Sequence, residues 1–173
     1  MADSFPIDGW DHLELYVGNA KQAAFFYEHA FGFNRTAYAG PETGVRDRAS
    51  YVLEQEDIRF VLTTGLRPDS DATSFPCAHG DGVKDVALTV PDAAHAYRYT
   101  VEHGARGVVE PHWVEDEWGR VELATIATYG ENVHTFVNRR EYSGSYLPGF
   151  REIPLVWADT LVAGHVTPVR RVG

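Results

Sequence analysis

The sequence predicts an α+β domain built from two tandem βαβββ modules. Three observations predict it. A period-two apolar run over residues 12–17 gives way to a 3.6-period run over residues 20–31. The same switch returns at an offset of 73 residues, Asp85 minus His12. Between the two copies lies a connection rich in Gly, Pro, Asp and Ser, "GLRPDSDATSFPCAHGDG", residues 65–82.

The first module opens with "DHLELYVGN". Leu13, Leu15 and Val17 alternate with Glu14 and Tyr16, which is the period of a strand. Asn19 sits where a helix N-cap belongs, because its side-chain oxygen can accept from a free backbone N–H. Ala23, Phe26, Tyr27 and Ala30 then fall on one helical face, and Gly32 supplies a left-handed stop. Three strands follow: "FNRTAYA", "RASYVLEQ" closed by the turn "QED", and "IRFVLTT". The aromatics Phe25, Phe26 and Tyr27 are expected to serve core and partner packing.

In the second module "KDVALTVPDAAHAYRYTVEHGA" lies under "DHLELYVGNAKQAAFFYEHAFG". Leu13 meets Val86, Leu15 meets Leu88, Val17 meets Val90, and the caps Asn19 and Asp92 meet. The stops Gly32 and Gly104 depart from the offset by one residue. "GVVEPHW", "VELATIATY" and "NVHTFVN" complete the module, with the acidic "EDEWG" as a hairpin turn. Ordered recurrence of strand, cap, helix, stop and three strands argues for an internal repeat. The modules are expected at about 9–65 and 82–140, within a domain of 5–154 followed by a tail, 155–173. The helices should cover one face of a curved sheet whose other face encloses a cup.

Composition excludes several function classes. Lys and Arg number 15 against 25 Asp and Glu, a formal net charge of -10. Nucleic acid and anionic membranes want a basic face, so neither is an expected partner. The single cysteine, Cys77, forbids an intrachain disulfide and fits a cytoplasmic setting. The start "MADSFPIDGWDH" has no secretory pattern, and no apolar run reaches membrane-spanning length.

Several segments resemble one family. "DHLELYVGNAKQAAFFYEHAFGF", "PDSDATSFPCAHGDGVKDVALTV", "EHGARGVVEP" and "ATYGENVHTFVNR" followed by "YLPGF" are similar to the N-terminal half of 4-hydroxyphenylpyruvate dioxygenase and hydroxymandelate synthase. The resemblance covers residues 5–154. It implies the vicinal-oxygen-chelate fold, also called glyoxalase- or bleomycin-resistance-like, and a place in tyrosine catabolism. It also implies a small aromatic 2-oxoacid as substrate and Fe(II) as cofactor of the full-length family. Full-length members are about twice as long, and their second half carries the iron ligands, two His and one Glu. The tail "LVWADTLVAGHVTPVRRVG" does not resemble the start of that half.

Metal-binding members of this fold place ligands on the first and last strands of each module. Here the first-strand positions are His12 and Asp85. The last-strand positions fall at Thr63 or Thr64, and at His134 or Thr135. His12, Asp85 and His134 are therefore the metal candidates, since a facial Fe(II) site wants two imidazoles and a carboxylate. Strand alternation opposes His134: if Val133, Thr135 and Val137 face inward, it points to solvent. Otherwise His12 and Asp85 are hydrogen-bonded polar groups in the cup.

Cys77, in a loop two residues before His79, lacks a base held in geometry and is not expected to be a nucleophile. Asp47, Glu54, Glu56 and Asp57 read as strand-edge and turn charges. "GSYLPGF" should expose Tyr146, Leu147 and Phe150 as a docking surface. Leu155, Val156, Trp157, Leu161 and Val162 in the tail should need covering, by a dimer or by packing along the domain.

Three functions fit. The first is a dioxygenase-type scaffold half, iron-free and silent alone, working as a homodimer or beside a second half. The second is a stand-alone metal enzyme using His12 and Asp85. The third is a metal-free binder of a small ligand in the cup.

Overall fold

The computed structural model describes residues 4–153. Among the described residues nine strands, the last of them β9 (Arg151–Glu152), form one curled sheet in the order β6-β7-β8-β5-β1-β4-β3-β2-β9. The first module runs β1 (Gly9–Tyr16), α1 (Ala20–Phe31), β2 (Asn34–Ala39), β3 (Arg48–Gln55) and β4 (Ile58–Gly65). The second runs β5 (Gly82–Thr89), α3 (Ala93–Glu102), β6 (Gly107–Asp116), β7 (Gly119–Ala127) and β8 (Val133–Tyr142). The modules meet where β1 pairs antiparallel with β5, and each closes by a parallel pairing, β1 with β4 and β5 with β8. The expected pair of βαβββ units is therefore what the chain forms.

The helices start where the caps predict. Asn19 accepts from Gln22 N at 3.0 Å, and Asp92 accepts from His95 N at 2.7 Å. Gly32 ends α1 in the left-handed region, at φ 76°. Small residues let the helices lie close on the sheet. Ala20 and Ala24 of α1 pack with Val17, Phe33, Leu53 and Leu62. Ala93 and Ala96 of α3 pack with Val90, Ala124, Ile126 and Phe136. Phe25 and Phe26 do not join this core. They are 53% and 55% exposed, because the alanines and Tyr27 occupy the inward stripe.

The connection expected to be loop contains a further helix, α2 (Asp71–His79). Ser70 precedes it, Phe75 buries beneath it, and Gly80 caps its end. The many turn-type residues hid it, Pro76 above all, since proline removes a helical donor. Cys77 is on this helix, exposed, and His79 Nε2 lies 3.3 Å from a Glu131 carboxylate oxygen instead.

Adjacent strand residues point to opposite faces. Leu53 and Leu62 face α1, so Val52 and Val61 face the other way, with Ala37. Phe136 faces α3, so Val137 faces the other way, with Ala87 and Val121. This second face is the inside of the cup. The segment between β8 and β9 (Arg151–Glu152) crosses it as a strap. Tyr146 packs on Ala37, Val52 and Val61, while Leu147 also reaches Ala87, Val121 and Val137. The expected exposure of Tyr146, Leu147 and Phe150 is thus overturned: Tyr146 is 3% exposed and the other two are half-buried against it. The cup offers a ready apolar floor, and the strap covers it. The tail residues Leu155, Val156, Trp157, Leu161 and Val162 lie outside the described residues.

Loss of each cap should be measurable. Asn19→Ala and Asp92→Ala should each lower unfolding free energy by about 1 kcal/mol, read as a lower urea midpoint at unchanged slope.

Candidate functional site

The cup interior is polar at its centre. His12, Glu14 and Asp85 face into it from the two strands that join the modules, with Glu14 directly opposite Asp85 and His12 opposite Ala87. The β1 ladder slips between Trp10 and His12. This bulge lets Asp11 and His12 both reach the cup, where strict alternation would send one outward.

Asp11 is the most heavily engaged of these groups. Arg139 of β8 clamps it through two hydrogen bonds of 2.6 Å, one to each carboxylate oxygen. His12 Nδ1 lies 2.7 Å from the same carboxylate, and an Arg59 nitrogen stands 3.9 Å away. Arg139 also donates to the Tyr146 carbonyl, so the clamp extends to the strap. Burial alone would push the Asp11 carboxyl up. The hydrogen bonds from Arg139 and His12, with their positive fields, outweigh burial and hold it far below the usual carboxylate range.

Each of the other two carboxyls takes a hydroxyl from its own module. Thr63 donates to Glu14 at 2.7 Å, and Ser50 stands 2.7 Å behind Thr63. Thr135 donates its backbone N–H to Asp85 at 3.0 Å and its hydroxyl to the other oxygen, with Thr125 3.0 Å behind. Burial pushes Glu14 up, against the opposing Thr63 hydrogen bond and His12. Burial likewise pushes Asp85 up, against its Thr135 bonds and His12. In both, desolvation outweighs the bonds accepted, so each carboxyl is harder to ionise than in water.

The metal candidates do not converge. Asp85 and His12 face the same cup, but each is engaged by protein partners. His134 is on the opposite face from Thr135, and its Nδ1 bonds the Val86 carbonyl at 2.8 Å. It is half-buried rather than pointed to solvent. The repeat register also corrects the expected last-strand position. Leu15 pairs with Leu62, and its repeat partner Leu88 pairs with Phe136, so the counterpart of Thr135 is Val61, not Thr63 or Thr64. Valine carries no donor atom. Among the described residues no group of three or more His, Cys, Asp or Glu side chains is arranged to hold a metal ion. The residues present therefore do not fit Fe(II), which wants a facial set of imidazoles and a carboxylate.

Asp11, Glu14 and Arg139 were missed by sequence reasoning, which placed Tyr146 at the surface rather than in the cup. Glu14 shares its alternation phase with His12, a signal that could have found it. Asp11 depends on a bulge, and its partner Arg139 lies 128 residues away.

Paired βαβββ modules curled around one cup define the vicinal-oxygen-chelate, glyoxalase-like class. At the level of fold, methylmalonyl-CoA epimerase from Mycobacterium tuberculosis is similar, with a TM-score of 0.62 at 19% identity over 80% of this chain and 91% of that one. The chain belongs to the hydroxyphenylpyruvate dioxygenase N-terminal domain family: the family described as "Hydroxyphenylpyruvate dioxygenase, HPPD, N-terminal" matches residues 2–147. A 4-hydroxyphenylpyruvate dioxygenase from Dictyostelium discoideum is 48% identical over 146 residues, covering 83% of this chain and 40% of that protein. One from Xenopus tropicalis is 45% identical over 143 residues, covering 82% and 36%. A triple mutant of 4-hydroxymandelate synthase from Streptomyces coelicolor superimposes with a TM-score of 0.77 at 29% identity, over 86% of this chain and 43% of that one. The chain thus spans about two fifths of the length of the curated relatives it matches. Among the described residues no helix is long and apolar enough to cross a membrane.

The opposed carboxyl shifts give stability a definite pH dependence. Glu14 and Asp85 bind protons more tightly folded than unfolded, so their penalty is present above their raised values and fades as pH falls towards 4.5 and 3.8. Asp11 binds its proton more weakly when folded, so its contribution is full above 3.8 and is lost as pH falls further. Stability should therefore rise as pH falls through the raised values of Glu14 and Asp85 and then collapse in strong acid, below 3.8. Glu14→Gln should flatten the rise above 4.5, whereas Asp11→Asn should cost about 3–5 kcal/mol at neutral pH by leaving the largely buried Arg139 without its partner. Urea titrations across pH check both.

Proposed function

We propose that this chain is a scaffold module pair of a 4-hydroxyphenylpyruvate dioxygenase-type protein in tyrosine catabolism, and that it does not carry out the oxidation by itself. The observation that carries this reading is the donor set at the strand ends. His12 and Asp85 supply two donor side chains, and the remaining first-module position is Val61, which supplies none, so the facial set of three is not completed. Oxidation of a small aromatic 2-oxoacid, the activity in the relatives' names, then belongs to the length of those relatives beyond the matched segment. The Fe(II) implied by the family resemblance belongs there too. The role of this chain's own residues is structural. The Asp11–Arg139 clamp fixes the cup and its strap, and the helix-covered outside, where Phe25 and Phe26 are exposed on α1, faces a second half or another copy. The single cysteine supports a reducing compartment such as the cytoplasm.

The test is anaerobic Fe(II) loading of the purified 173-residue chain, followed by 4-hydroxyphenylpyruvate and oxygen. The expected outcome is no homogentisate, no hydroxymandelate and no substoichiometric burst of oxygen uptake. Stoichiometric product would overturn the reading and return His12 and Asp85 to consideration as ligands. His12→Ala and Asp85→Ala should then each abolish it.

A further inference from the structure

We propose that the cup of the first module is a binding site for a flat aromatic ring, and that its occupant in this chain is the ring of Tyr146, delivered by the strap. Tyr146 is carried by neither helix nor strand, since β8 ends at Tyr142 and β9 begins at Arg151. Yet it is as deeply placed as a core residue, at 3% exposure. Its surroundings are built for a ring. Small aliphatic residues, Ala37, Val52 and Val61, form the floor. The guanidinium carbons of Arg139 and Arg59 stand 4.9 and 5.7 Å from its centroid. His12 meets it edge-on at 5.4 Å and Phe150 at 4.7 Å. Two cations facing one ring favour an electron-rich π-face over a saturated one of the same shape, since each such contact is worth about 0.5–2 kcal/mol. An ordinary apolar core position has no use for two arginines.

The clamp keeps this seat in place without relying on the ring. Arg139 is positioned by Asp11 through both carboxylate oxygens, and Asp11 by β1. The strap is lightly tied in comparison. Its fixings are the bond from Arg139 to the Tyr146 carbonyl, the contacts of Ser143 with the Trp118 carbonyl, and one turn from Phe150 N to the Leu147 carbonyl. Gly144 and Gly149 flank the inserted residues. An open groove of ≈470 Å³ runs beside it, lined by Trp118, Ser143, Ser145, Gly149 and Phe150 among others, and gives the strap room to shift. The seat is thus a preformed pocket holding a tethered ligand, and free aromatic rings compete for it only once the tethered ring is removed.

The experiment uses the full chain carrying Tyr146→Gly, with p-cresol and its saturated analogue 4-methylcyclohexanol as probes. The wild-type chain should show no thermal shift with either at millimolar concentration. The variant should lose thermal stability, regain most of it with p-cresol, and bind p-cresol at least about five-fold more tightly than the saturated ring, as two arginine–ring contacts require. Arg59→Met in the same background should shrink that preference. Equal affinity for the two probes would make the site a plain apolar cavity and overturn the proposal, as would no response to either. Should Tyr146→Gly fail to fold even with p-cresol present, Tyr146→Phe and Tyr146→Leu decide. A seat for an aromatic ring keeps the melting temperature near wild type with Phe and loses it with Leu, whereas equal losses overturn the assignment.

Discussion

The bidentate pairing of Asp11 with Arg139 is the contact on which the rest of the cup depends. It joins β1 at the centre of the sheet to β8 of the other module, across 128 residues of sequence. Through the Tyr146 carbonyl it also holds the strap that covers the apolar floor. A buried ion pair adds little net stability compared with a well-packed apolar pair, because both charges must be desolvated. Its value lies in direction. A planar guanidinium satisfied by two carboxylate oxygens has one orientation, and that orientation sets where Arg139 sits over the strap.

Around this clamp the two modules solve the same problem with different residues. Each sends a carboxyl into the cup and satisfies it with a two-hydroxyl chain from its own strands: Ser50 and Thr63 behind Glu14, Thr125 and Thr135 behind Asp85. The pseudo-symmetry is of polar logic rather than of position, because the repeat partner of Asp85 is His12 and that of Thr135 is Val61. An interior of this kind spends its polar groups on one another. Its acids are shifted in opposite directions although they share one cup, because Asp11 is bonded by an arginine while burial dominates at Glu14 and Asp85, whose partners are neutral hydroxyls.

The fold was legible because it is written locally. Leu13, Leu15 and Val17 announce a strand by alternation, and Asn19 and Asp92 announce helix starts by a bond three residues away. The centre of the cup was not legible, because its contacts are remote in sequence or depend on a register slip. Nothing near Asp11 reveals Arg139, and nothing near Tyr146 reveals that its strap turns inward. The helix at Asp71–His79 was obscured by residues that usually mark turns, and is secured by Phe75 and by packing against β4 and β1. Phe25 and Phe26 misled in the other direction: large aromatics suggested a core stripe that alanines fill.

The outermost strand of the second module has a bearing on how copies of this chain can meet. Among the described residues β6 is paired on one side only, by β7, and its ladder slips twice, between Gly107 and Val109 and between Val109 and His112. Pro111 stands within the second slip and contributes no N–H. A bulged edge missing a donor is a poor template for another strand, and natural sheets use such devices to stay discrete. Valines 108 and 109 and Trp113 are exposed along this strand, so an unprotected edge there would invite fibre-like stacking. Among the described residues the sheet ends here, and growth by strand addition past β6 is opposed by the backbone itself, with the exposed Glu110, Glu115 and Asp116 adding like charge.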